Sequence, residues 1–394
     1  MQNNYTIDAV RMLLMLGAVQ GFFLTTLLFT KYRSHPANRY LGFLVLAYSL
    51  FIVNAMLSGV EVLQRHYPHW LMILSGLPFL FGPLHMIYVG ELTDSHLKFT
   101  RMNWYHFLPF IIYKLYYFQV FFLSDEELFA VFVQIEQNDK PFHIIFSSLM
   151  ISIVGVFYII IALFVFKRYS QKIQNVFSSL DKVNLYWLRF FTYAALFVWL
   201  IVFIQSLLSA NSIDTEPYYM VVPVLTSIFV YATGYIGIFK TEIFEQQDVR
   251  RNLSQAHEIE TMKHISRDEK RYEKSGLSEE KVAESLKNLQ QLMEQEKPYL
   301  NPNLTLNDLS SKLDISGHNL SEILNTQLNQ NFFDFINQYR INEVKKYLED
   351  GSKDHLTLLS IALDAGFNSK SGFNLVFKKF MHITPSEYRQ KVRA

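Results

Sequence analysis

The stretch SIALDAGFNSKSGFNLVFKKFMHITPSEYR, residues 360–389, reads as two short helices around one tight turn. Thr357, just upstream, is placed to cap the first helix, in which Leu358, Ile361, Ala362 and Ala365 recur at helical spacing. Gly366 supplies a turn residue that adopts positive φ without steric cost. Ser369 then caps a second helix whose inward face is Phe373, Phe377 and Phe380. Helix, tight turn, helix is the geometry that lays the second member in the major groove of DNA.

Upstream the same arrangement recurs. Thr305 is placed to cap a short helix carrying Leu306, Leu309 and Leu313, a turn follows at Asp314 and Ile315, and Ser316 opens a helix with Leu320, Ile323 and Leu324 inward. Between the units, Phe333 to Leu348 reads as a longer connector helix that fixes their spacing. Before them, Ser278 starts an amphipathic helix with Val282, Leu286, Leu289 and Met293 on one face, ended by Lys297 and Pro298. Two helix-turn-helix units on one rigid connector make a bipartite DNA reader.

Residues 360–389 are very similar to the signature of AraC/XylS-type transcriptional regulators: small residues at the helix crossing, GF at the turn, S-x-x-x-F opening the second helix, F-K-K-F closing it and TP-x-x-Y-R after it. The resemblance covers about residues 278–394, and NFFDFIN and YRINEVKKYL, within residues 331–348, resemble the family's connector helix. It implies a bacterial transcription regulator that binds double-stranded DNA, with base-reading positions at His318, Ser321 and Glu322. The chain departs from the pattern where glycine is usual before TP, at His382, and at the first turn, at Asp314. Histidine and aspartate tolerate left-handed backbone better than most residues, so the fold is retained. Ser310 stands where alanine is usual in the first unit.

Each second helix turns its apolar stripe inward, so its remaining N-terminal face is what a groove would meet. That face is Lys370, Ser371, Asn374 and Lys378 in the second unit, and His318, Ser321, Glu322 and Asn325 in the first. Asparagine pairs with adenine and glutamate accepts from cytosine N4, whereas Lys370 and Lys378 serve phosphates equally well. Residues 367–394 carry six Lys/Arg against Glu387 alone, whereas residues 301–366 carry five basic and nine acidic residues. The phosphate attraction is therefore modest and concentrated in the second unit, which points to two copies on adjacent half-sites, a homodimer.

The rest of the chain has a different chemistry. Of 394 residues, the first 240 hold 15 Lys/Arg and 12 Asp/Glu, whereas the remainder hold 21 and 23. The chain is 50% hydrophobic with 35 Phe and 23 Tyr, too apolar for one ordinary soluble enzyme. It has no cysteine, which removes disulfides, thiolate metal sites and cysteine nucleophiles. Seven apolar segments are long enough to span a bilayer: Ala9 to Phe29, Tyr40 to Val60, Trp70 to Val89, His106 to Leu123, Ile144 to Phe166, Trp187 to Ala210 and Tyr218 to Phe239. Lys114 interrupts the fourth. The basic residues of the short loops concentrate in loops one, three and five, which makes those loops cytoplasmic, the N-terminus external and everything after Lys240 internal. The opening span has no cleavable-leader pattern and stays as a helix. The longest outer loop is about Ser124 to His143.

The expected architecture is all-α: residues 1–240 a seven-span sensor in the inner (cytoplasmic) membrane, 241–277 a helical stalk, and 278–394 the DNA-binding domain, its units at about 305–328 and 357–380. The stalk is rich in charge and carries a thin stripe through Val249, Leu253 and Ala256. His257 and His264 within it belong to no kinase core, since no nucleotide-binding loop follows. Ionisable and polar groups at membrane depth are candidates for holding an unknown small or lipid-like ligand: Lys114, His85 and Gln205. His66 and His69 share a helical spacing but show no third ligand, so no metal and no cofactor is called for. No P-loop, HExxH or paired-carboxylate constellation marks an enzyme, and no catalytic residue is assigned. The competing architecture is a membrane receptor or transporter whose C-terminal helices bind a protein partner.

Overall fold

A computed structural model describes residues 2–30, 36–58, 60–93, 101–136, 141–181, 183–211, 213, 218, 220–241 and 279–394. Helices dominate the described residues, which include no strand; an isolated antiparallel bridge joins Phe177 to Thr305. The stalk expected over 241–277 lies outside the described residues apart from Thr241, which ends a helix. The chain divides into two compact units. One contains residues 1–167 and 185–243; the other contains 168–184 and 244–394.

The first unit contains α1 (Gln2–Thr30), α2 (Pro36–Ser58), α3 (Glu61–His66), α4 (Pro68–Leu74), α5 (Pro78–Thr93), α6 (Leu108–Tyr116), α7 (Asp125–Glu136), most of α8 (Phe142–Gln174), α9 (Tyr186–Ala210) and α10 (Val221–Thr241). Five helical stretches are long and apolar enough to cross a membrane: Ala9–Thr30, Pro36–Ser58, Pro68–Thr93, Phe142–Gln174 and Tyr186–Ala210; Val221–Thr233 is a shorter apolar helix. Their outer faces carry Phe23, Phe43, Phe157, Phe164, Phe190 and Phe197, all more than half exposed. So much apolar surface on several helices matches a lipid-facing belt rather than a wetted surface. Close helix approach needs small residues. At Gly155 on α8 a methyl group would stand 2.3 Å from the Trp199 indole of α9.

Three segments differ from the sequence reading; the third, Trp70 to Val89, lies within a stretch of spanning length but is interrupted between α4 and α5. The fourth segment, His106 to Leu123, is not one spanning helix: a 3₁₀ turn over Arg101–Phe107 leads into α6, and a second 3₁₀ turn covers Tyr117–Phe122. Nine residues of α-helix reach about 14 Å at 1.5 Å each, half of a bilayer core. Pro109 fixes the start of α6, and the following run of Tyr and Phe favours ring packing, Tyr113 on Tyr117 and Phe118 on Phe122, over regular helix. The outer segment read as loop contains α7. Ser124 starts it through a reciprocal cap, with its N–H and hydroxyl donating to the Glu127 carboxylate at 2.8 Å each.

In the second unit α11 (Glu279–Gln295) precedes α12 (Leu306–Lys312), α13 (Gly317–Gln327), α14 (Phe332–Glu349), α15 (Leu358–Asp364), α16 (Lys370–Met381) and α17 (Pro385–Arg393). Two apolar clusters form. Leu289, Met293, Leu306, Leu309, Leu320 and Leu324 build the first; Ile361, Ala362, Ala365, Phe367, Phe373 and Phe377 build the second. The long helix α14 contributes to both, Phe332 and Ile336 to the first, Ile341 and Val344 to the second. Alternating its faces between two cores holds the helical pairs at a set spacing.

Candidate nucleic-acid interface

The caps place the two recognition-type helices. Thr305, Ser316, Thr357 and Ser369 each accept a bond from the N–H three residues on, at 3.3, 3.1, 3.1 and 2.9 Å. The turn residues have the left-handed backbone read from the sequence: Asp314 at φ 53°, Gly366 at 94° and His382 at 60°. Gly366 is required for space as well, because a methyl group there would stand 2.3 Å from the Tyr299 carbonyl. The closing TP-S-E-Y-R stretch has a local physical role for each conspicuous residue. Thr384 and Glu387 form a capping box, Tyr388 packs edge-on to Phe377 at 5.5 Å, and Arg389 donates to the Leu356 carbonyl at 3.0 Å.

On α16 the sequence-predicted face is open. Lys370, Ser371, Asn374 and Lys378 are all exposed, and neither lysine has an ion-pair partner among the described residues. Other basic residues of this region are already committed: Lys379 pairs with Asp334, and Arg389 and Arg393 both reach Asp354. That leaves Lys391 on α17 as the remaining exposed basic residue of 367–394 beside the two lysines of α16. Leu375, 62% exposed among these polar groups, is an apolar member of the same face that a search of polar positions does not mark. An apolar side chain there is suited to the methyl group of thymine.

On α13 the predicted residues sit differently. Ser321 is 2% exposed, and the Asn325 amide donates to the Ser321 carbonyl at 2.6 Å and to its hydroxyl at 3.3 Å. His318 Nε2 stands 3.8 Å from the Glu322 carboxylate, while its Nδ1 is buried without a hydrogen-bond partner among the described residues. This helix therefore offers a partly covered, internally bonded face, in contrast to α16.

Beneath both units lies a buried charge that the sequence reading did not single out. Arg340 on α14 is 1% exposed, and its guanidinium donates to the carbonyls of Tyr299 (2.8 Å), Asn301 (2.8 Å) and Ser178 (2.9 Å), to the Ser178 hydroxyl (3.0 Å) and to Asn337 Oδ1 (3.3 Å). All five donors are satisfied without a carboxylate. Burial lowers its pKa to about 9.

The three residues proposed for a ligand do not converge. Lys114 donates to the Met72 and Ile73 carbonyls at 3.0 and 2.8 Å, capping the end of α4 where the chain breaks before Gly76. His85 Nε2 bonds the Thr192 hydroxyl at 2.9 Å, tying α5 to α9. Of the three, only Gln205 lines a cavity, of about 320 Å³, with Tyr48, Asn54, Ser58, Trp199 and Thr226 among its walls. Among the described residues no Asp, Glu, Lys, Arg or His lines it, and Asn54 Oδ1 is buried with no hydrogen-bond partner. His66 and His69 are occupied separately, by the Val62 carbonyl and by Asp125, both at 3.0 Å.

The capped helix pairs define a domain of helix-turn-helix type, and residues 309–391 match the family described as "Helix-turn-helix domain", the AraC type. The same part of the chain is similar to the melibiose operon regulatory protein of Escherichia coli (strain K12), 32% identical over 87 residues, covering 22% of this chain and 28% of that one. It is also similar to an uncharacterized HTH-type transcriptional regulator of Staphylococcus aureus (strain COL), 34% identical over 91 residues, covering 23% of this chain and 12% of that one. The chain thus spans less than a third of the length of these curated relatives. No solved structure matches.

Proposed function

We propose that the protein is a membrane-embedded one-component transcription regulator that binds promoter DNA sequence-specifically as a homodimer. The observation that carries this reading is the open polar face of α16, Lys370, Ser371, Asn374 and Lys378, on a capped helix-turn-helix, in a chain that also has helices of spanning length. A relative named for an operon it regulates supports it. In this reading seven crossings of the inner membrane leave the N-terminus outside and the DNA reader in the cytoplasm, and the bundle senses a signal. The cavity behind Gln205 favours an uncharged, mostly apolar small or lipid-like ligand with a hydrogen-bond donor for Asn54.

Chromatin immunoprecipitation of the full-length chain tests the reading beside a Lys370→Ala/Asn374→Ala version. Discrete peaks that vanish in the double variant are expected. Absence of peaks under every growth condition tried would transfer the C-terminal helices to a protein-binding role. Filling the cavity with Val202→Trp is expected to abolish the response to the signal while leaving DNA occupancy at one fixed level.

A further inference from the structure

The DNA-reading unit holds an intrachain partner. Residues 168–184, which lie in sequence between the apolar stretches of α8 and α9, belong to this unit rather than to the apolar one. Their contact has a buried anchor and an exposed tip. In the anchor, Leu306 N–H donates to the Val176 carbonyl at 2.9 Å and Ser178 N–H to the Leu304 carbonyl at 3.2 Å, with Phe177 bridged to Thr305. Ser178 is 1% exposed and takes two of the five bonds of Arg340. Leu180 packs on the second apolar cluster.

The tip reaches the start of α16. Ser179 donates to Asn368 Oδ1 at 2.7 Å, and the hydroxyl of Ser369, which caps α16, donates to the Asp181 carboxylate at 2.7 Å. A methyl group at Gly372, in the first turn of α16, would stand 3.0 Å from Asp181 Oδ2. The first turn of a recognition helix is the part that approaches phosphates and base edges. A carboxylate seated there covers the helix entrance and repels a polyanion at short range, where Coulomb forces are least screened.

We propose that residues 175–181 form a latch at the N-terminal end of α16, in which Asp181 occupies the entrance of the second recognition helix and must leave before that helix enters the groove. The latch rests on the reading of this domain as a DNA binder. Its anchor is buried and stays in place, whereas Asp181 is exposed and held by side-chain bonds alone, so the tip detaches by a local change. The segment is covalently continuous with an apolar helix on each side. It therefore gives the bundle a covalent route to the recognition helix that does not pass through residues 242–278.

The test uses the full chain in lipid nanodiscs with sheared genomic DNA as the probe. The natural chain has no cysteine, so an Asp181→Cys/Ser369→Cys pair gives a single switchable crosslink, and Ser369→Cys alone controls for the lost cap. Oxidation of the pair is expected to weaken DNA retention about tenfold or more, in line with loss of the recognition helix of the more basic unit, with recovery on reduction. Asp181→Ala is expected to tighten retention severalfold, and Asp181→Asn, which keeps an acceptor for Ser369, to have a smaller effect. Equal retention by oxidised and reduced chains, or weaker retention by Asp181→Ala, overturns the latch. Failure of every form, natural chain included, to retain DNA overturns the DNA-binding reading and the latch with it.

Discussion

His382 closes α16 at φ 60°, its N–H bonded to the Lys378 carbonyl at 3.0 Å. A residue with a Cβ is strained in this left-handed region by about 1 kcal/mol, a strain glycine does not have. His382→Gly is therefore expected to stabilise the domain by about that amount, seen as slower hydrogen exchange of the α16 amides in the full chain; faster exchange would show that the imidazole contributes more than the backbone strain costs. Glu343 gives a pH-dependent counterpart. Burial acts to raise its pKa, but bonds from Tyr347 at 2.9 Å, Lys297 at 3.2 Å and Tyr299 at 3.2 Å outweigh burial and hold it below the ordinary glutamate value. A carboxylate lowered in this way adds stability that is present above its unfolded value of about 4.3 and disappears as pH falls through the folded value. Exchange protection of residues 297–349 is expected to fall as pH drops below about 4, and Glu343→Gln should remove that dependence while lowering protection at neutral pH.

At the scale of elements, what was legible and what was not divide by the range of the causes. Caps, turns and apolar stripes are local, so α12 to α17 could be read from Thr305, Ser316, Gly366 and Ser369, and the open face of α16 followed from the positions of Phe373 and Phe377. The burial of Ser321 did not follow, because it depends on the Asn325 amide turning onto it. Lys114 looked like a ligand group because hydropathy marks a charge but not the α4 carbonyls it caps. The signal for α7 lies in S-D-E-E, residues 124–127, a cap followed by acidic residues in a first turn. The fourth apolar segment is the element on which topology turns. In the proposed topology, with the other six apolar segments crossing, the fourth crossing in its broken form would make seven and place the N-terminus opposite the DNA reader; lying along the interface, it would leave six and place both ends together. The basic residues of loops one and three favour seven. An N-terminal reporter active only outside the cytoplasm is expected to be active, and a silent reporter beside an active cytoplasmic one would establish six.

Across the whole molecule, sequence order and structural units disagree at one place, and the disagreement has a measurable consequence. A domain cut at residue 278 keeps both helix-turn-helix units but loses residues 168–184. Arg340 would then lack the Ser178 carbonyl and hydroxyl, and the Leu306 N–H would lose the Val176 carbonyl. An unsatisfied buried polar group costs about 1–3 kcal/mol, so these losses together are comparable with the net stability of a small domain. Burial by itself disfavours the Arg340 charge and lowers its pKa to about 9. Residues 278–394 alone are therefore expected to be poorly protected from hydrogen exchange around α14. A synthetic peptide of residues 172–184 added in trans should bind the fragment and restore that protection, whereas the same peptide with Ser178→Pro, which has no N–H for Leu304 and no hydroxyl for Arg340, should not. Full protection of the fragment without peptide would mean that Arg340 finds other partners, and that the segment rests on the domain without completing it.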